Sequence, residues 1–102
     1  MEKIKVMLCC GAGMSSGFLA QRIRGEAKKQ KIEIQVDARS ENQVSQFFGK
    51  FNILLLGPHF ASQLPNYERV SEEYNFKVAV IPKKIYGTLD AKAMLDLIQS
   101  MI

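Results

Sequence analysis

The sequence predicts an α/β protein: one doubly wound domain, a four-stranded parallel sheet with helices on both faces and a phosphate-binding-type loop after the first strand. Three observations lead there. Four short apolar runs alternate with segments of helical periodicity, the βαβ pattern whose crossovers are right-handed. The first and third runs are almost continuously apolar, as parallel strands covered on both faces are. At 102 residues, 47% apolar and 24% charged, the chain (residues 1–102) has the size and composition of one globular domain rather than of a disordered segment.

The elements follow in order. Lys3–Cys9 reads as a buried strand in which Ile4, Val6 and Leu8 alternate with Lys5, Met7 and Cys9. A helix capped by Ser15 or Ser16 then runs to about Gln30, with Ala20, Ile23 and Ala27 in one stripe. Residues 32–38 alternate strictly and form the second strand. Ser40 opens a short helix with Val44, Phe47 and Phe48, ended by Gly49. Phe51–Leu56 is the third strand, stopped by Gly57-Pro58. A short helical stretch over residues 60–64 precedes a helix over 66–74. Lys77–Ile81 is the fourth strand, and Lys83–Gly87 reads as a loop holding Tyr86. A last helix, capped by Thr88 or Asp90, carries Leu89, Ala93, Met94, Leu97, Ile98 and Met101 on its apolar side. In such a sheet the functional loops lie beyond the carboxyl ends of the strands, so residues 10–16, 39–41, 57–59 and 82–87 should share one rim.

The stretch that points to chemistry is Cys10-Gly11-Ala12-Gly13-Met14-Ser15-Ser16. Small residues between a strand and a helix let backbone N–H groups converge into an anion nest, and the helix start adds partial positive charge. A thiol at the lip of such a nest has its thiolate stabilised, which lowers its pKa below the free value of roughly 8.5. Cys10 is therefore the candidate nucleophile. Cys9, its neighbour on the strand, points the other way and reads as a buried core thiol. Met14 stands out as an apolar side chain in a polar loop, suited to a docking partner.

Other classes fit less well. Two adjacent thiols and His59 are too few for a zinc site, and a vicinal disulfide between Cys9 and Cys10 would be strained, so no metal and two reduced thiols are expected. The loop lacks the ending of a Walker sequence and is not G-x-G-x-x-G, which argues against ATP or dinucleotide and leaves no cofactor implied. The net charge of +4 is concentrated in Arg22, Arg24, Lys28, Lys29 and Lys31, which read first as a solvated helix face and second as attraction for an acidic or phosphorylated partner. No aromatic–basic motif of the nucleic-acid readers is present. No apolar run reaches the roughly 18 residues that cross a bilayer, and the beginning of the chain has no signal-peptide pattern, so a cytoplasmic protein is expected.

Residues 8–16 closely resemble the C-x-A-G-M-S-[ST] phosphocysteine loop of the lactose/cellobiose-type enzyme IIB of the bacterial phosphoenolpyruvate-dependent sugar phosphotransferase system. Leu54-Leu55-Leu56-Gly57-Pro58 is similar to that family's L-L-G-P motif, and Tyr86-Gly87 to its Y-G before the last helix. The resemblance implies that Cys10 takes a phosphoryl group from a histidine of enzyme IIA. It further implies transfer to a sugar (cellobiose, lactose or chitobiose) bound in the membrane enzyme IIC, with Gly11, Ala12, Gly13, Met14, Ser15 and Ser16 holding the phosphoryl oxygens. Cys9 precedes the motif, and His59 stands where the family more often has glutamine, so neither acquires a role. Two alternatives remain. A low-molecular-weight cysteine phosphatase or arsenate reductase would need C-x5-R, whereas the sixth residue after Cys10 is Ser16. It would also need a general acid, a role for which no aspartate is obviously placed, Asp37 and Asp90 being the ones left to consider. A non-catalytic module would bind a phosphorylated ligand through the nest alone.

Overall fold

The computed structural model describes residues 4–9, 14–39, 41–88 and 90–101. Four parallel strands, β1 (Ile4–Cys9), β2 (Ile34–Arg39), β3 (Ile53–Leu56) and β4 (Lys77–Val80), form a sheet in the order β2-β1-β3-β4. The helices are α1 (Met14–Lys29), α2 (Glu41–Val44), α3 (Leu64–Tyr74), α4 (Lys83–Thr88) and α5 (Ala91–Met101), with 3₁₀ turns at Ser45–Phe47 and Pro58–Gln63.

Strict alternation along the strands divides the interior in two. Val6 and Leu8 of β1, Val36 of β2, and Ile53 and Leu55 of β3 face α1 and α5, where Leu19, Ile23, Met94, Leu95 and Ile98 are fully buried. Met7, Cys9, Leu54 and Leu56 face the other way, onto Val44, Phe51 and Phe76 and the partly buried Leu64, Tyr67 and Val70. Covering on both faces is why β1 and β3 read as continuous apolar runs.

The strands are shorter than their apolar runs because side chains and caps take over at the ends. Lys31 sits in the left-handed region (φ 59°), its N–H donates to the Lys28 carbonyl, and the Ile32 N–H donates to Ala27 at 2.8 Å. This pair of bonds closes α1 in a Schellman motif, with Ile32 turned onto the core, so β2 begins two residues later than expected. Asn52 likewise stands before β3 as a clamp: its Oδ1 accepts from the Lys5 N–H and its own N–H donates to the Lys5 carbonyl.

The reading of the segment before the last helix is overturned. Lys83–Gly87, read as a loop, is helical as α4, with the Tyr86 N–H donating to the Pro82 carbonyl at 3.0 Å. Pro82 supplies the fixed φ before a first turn, and Tyr86 and Ile85 bury one side against the α1–α5 core. Gly87, which suggested the loop, lies inside the helix, where the Thr88 hydroxyl donates back to Lys84 at 2.8 Å. The last helix is capped by Asp90, whose Oδ1 accepts from the Ala93 N–H at 3.0 Å, and not by Thr88.

Candidate functional site

The carboxyl ends of the strands finish level. Cys9 stands opposite Arg39 in β2 and opposite Leu56 in β3, and Leu56 stands opposite Val80 in β4. The ladder continues one residue further, with the Gly57 N–H donating to the Cys9 carbonyl at 2.9 Å and the Ile81 N–H to the Leu56 carbonyl at 2.8 Å. The chain leaves β1 for β2 on one side and reaches β3 on the other, so the strand order has its switch point between β1 and β3. Open α/β sheets bind their ligands beyond such a point.

β1 ends at Cys9 and α1 begins at Met14. The predicted nucleophile Cys10 and the loop residues Gly11, Ala12 and Gly13 lie outside the described residues. Met14, Ser15 and Ser16 form the first turn of α1. This corrects the capping expectation: neither Ser15 nor Ser16 precedes the helix, because α1 starts at Met14. Their backbone N–H groups are instead among those that a helix start leaves without an intrahelical acceptor. No acidic residue occupies that first turn, and Lys28 and Lys29 stand in the last one, so the positive end of the helix faces the rim without a carboxylate of its own.

Cys9 is fully buried on the sheet face that carries Met7, Leu54 and Leu56, as expected of a core cysteine. The two aspartates considered as general acids have other partners. Asp90 caps α5, and Asp37 accepts from the Gln35 amide at 3.0 Å and stands 3.9 Å from the Arg24 guanidinium. Arg24 also donates from Nε to the Val36 carbonyl at 2.8 Å, so part of the basic face of α1 serves to fasten that helix to β2. Arg22 lies over the ring of Phe18, which is half exposed on α1 one turn beyond Met14. His59 and Pro58 enter the 3₁₀ turn that follows β3. The N–H of Gly57 is a site feature that a strand-ending reading overlooks; its signal is the G-P pair directly after four buried residues. Among the described residues no cluster of His, Cys, Asp and Glu could hold a metal ion, and no helix is long and apolar enough to cross a membrane.

A four-stranded parallel sheet with a strand–loop–helix unit at its switch point defines a doubly wound α/β domain. The model of the PTS system, Lactose/Cellobiose specific IIB subunit, matches residues 5–97, and the chain belongs to that family of phosphoryl-carrier domains. It is 26% identical over 88 residues to the oligo-beta-mannoside-specific EIIB component of the PTS of Bacillus subtilis, covering 86% of this chain and 85% of that protein. A lactose-specific EIICB component from Lacticaseibacillus casei is 23% identical over 101 residues, and the chain spans only 18% of that longer protein. The lactose-specific IIB domain of Streptococcus pneumoniae superposes with a TM-score of 0.89 over 98% of both chains at 16% identity, a likeness of fold.

Proposed function

We propose that this IIB domain carries a phosphoryl group on Cys10 between two proteins. The donor is a phosphohistidine of enzyme IIA. The acceptor is a β-linked disaccharide-type sugar (cellobiose, lactose or chitobiose class) bound by the membrane enzyme IIC, and the domain works at the cytoplasmic side. The observation that carries this reading is the place of residue 10 in a IIB-family chain: it directly follows Cys9 at the switch-point edge, four residues before a helix start that lacks acidic residues. The EIICB name of the casei relative supports pairing with a IIC unit.

In the first step the Cys10 thiolate attacks phosphorus in line; the S–P bond forms as the P–N bond to histidine breaks, and the imidazole keeps the electron pair. In the second step a sugar hydroxyl oxygen attacks, the O–P bond forms, the thiolate leaves, and the hydroxyl proton is released. Backbone N–H groups of Gly11, Ala12, Gly13, Met14, Ser15 and Ser16 hold the phosphoryl oxygens and stabilise the charge spread over them. Ser16 in place of an arginine clamp, and aspartates engaged elsewhere, favour a carrier over a phosphatase, since attack by water has neither a clamp nor a general acid to assist it.

The test is intact-mass analysis after incubation with phosphoenolpyruvate, the general phosphotransferase proteins and a cognate enzyme IIA. One phosphoryl adduct is expected on the native protein and on Cys9→Ser, and none on Cys10→Ser. An adduct lost in Cys9→Ser instead would move the site by one residue. Absence of any adduct with an active IIA, or release of phosphate from an aryl phosphate by the isolated protein, would overturn the carrier reading.

A further inference from the structure

A second concavity lies on the α2 side of the β1–β2 pair. It encloses about 360 Å³ and is lined by Lys5, Asp37, Arg39, Phe47, Lys50 and Phe51, among others. Alternation along the paired strands puts Lys5, Asp37 and Arg39 on the same face, with Lys5 and Asp37 two residues apart in the ladder and Arg39 at its carboxyl end. The opposite wall comes from the turn after α2. Gly49, at φ 89°, reverses the chain, the Lys50 N–H donates to the Phe47 carbonyl at 2.8 Å, and Lys50 returns beside its own turn.

That turn gathers charge. The Arg39 guanidinium lies 5.0 Å from the centre of the Phe47 ring and the Lys50 ammonium 5.9 Å from it. The ring attracts both cations and so draws each of them to this wall of the concavity. Arg39 donates one N–H to the Ala38 carbonyl, which leaves most of its five donors for a ligand. Among the described residues the one carboxylate on this concavity is Asp37, already engaged by Gln35 and facing Arg24, and no ion pair involves Lys5, Arg39 or Lys50. Three cations against one committed anion, in a cleft with low-dielectric aromatic walls, focus a positive potential.

From this we infer that the concavity is a second anion site, which takes a phosphorylated small molecule with its phosphoryl group between Arg39 and Lys50 and its polar body toward Lys5. The volume corresponds to about a dozen water molecules, room for an ester body beside the phosphoryl group, and falls in the usual range of small-molecule sites of roughly 300–1,000 Å³. Guanidinium and ammonium supply charge-assisted hydrogen bonds to the phosphoryl oxygens. The site does not depend on Cys10, and its occupancy is independent of the carrier reading.

The test is a titration of the ¹⁵N-labelled full chain with glucose 6-phosphate, inorganic phosphate and glucose, followed by amide chemical shifts. Saturable shifts at Asp37, Arg39, Phe47 and Lys50 are expected with the ester, none with glucose, and they persist in Cys10→Ser. Arg39→Gln and the surface change Lys50→Gln should each weaken the affinity about tenfold or more, with unaltered melting. Inorganic phosphate binding as tightly as the ester would overturn the assignment to an esterified ligand. Shifts confined to residues 10–16, no saturation at millimolar ester, or full affinity in both variants would overturn the site itself.

Discussion

At the scale of single residues, the Gly57 N–H ties the exit of β3 to the Cys9 carbonyl, the last backbone acceptor before residue 10. That bond holds the end of β1 against the exit of β3. Cys9 contributes to the same end by packing, because it is fully buried in the apolar layer that holds Met7, Leu54 and Leu56. Cys9→Ser places a more polar group in that apolar surrounding and should lower stability by about 1–3 kcal/mol. Thermal or urea unfolding measures the loss, while phosphoryl transfer should be largely retained; a dead but stable Cys9→Ser protein would contradict both halves. Residue chemistry was readable wherever neighbours in sequence carry it, as with Cys9, whose place at the end of an alternating apolar strand marks it as a core thiol. The Arg39–Phe47–Lys50 grouping was not, because it depends on the left-handed turn at Gly49 bringing Lys50 back over Phe47, and no spacing rule announces that.

At the scale of elements, the same substitution should act with opposite signs at two glycines. Gly25 lies in the middle of α1, exposed, and a methyl group there would meet nothing within 4 Å. Gly25→Ala should therefore stabilise the protein by about 0.5–1 kcal/mol through helix propensity and a less flexible unfolded chain. Gly49 has φ 89°, which an L side chain rarely adopts, so Gly49→Ala should destabilise by about 1–2 kcal/mol, although its new methyl group would meet only Tyr74 at 3.7 Å. Chemical denaturation of the two variants checks the pair; equal shifts would show that backbone conformation is not what separates them. Strand positions and the long helices were legible because period 2 and period 3.6 are imposed by burial on two faces. α4 was not legible, since its six residues are too few to display a helical stripe and Gly87 signals a break that the Thr88 back-bond and the packing of Tyr86 override.

At the scale of the whole molecule, helices cover both faces of the sheet, so a large partner reaches the loop after β1 only across the carboxyl rim. That geometry decides which positive charges matter to it. Lys28, Lys29 and Lys31 stand at or just past the last turn of α1, whose first turn borders the rim. At a rise of about 1.5 Å per residue, the fourteen residues from Met14 to Lys28 put these lysines about 20 Å from the rim. This is more than two Debye lengths of about 8 Å at physiological salt, so their pull on a partner docked at the rim is largely screened. Their nearer role is to complement the negative end of the helix, where each is worth a few tenths of a kcal/mol to about 1 kcal/mol. Replacing Lys28, Lys29 and Lys31 together by glutamine should therefore leave the rate of phosphoryl transfer from a cognate enzyme IIA within about twofold at about 0.15 M salt, while slightly lowering the melting temperature. A fall of tenfold in that rate, with the fold intact, would place the partner along the far end of α1 rather than over the rim.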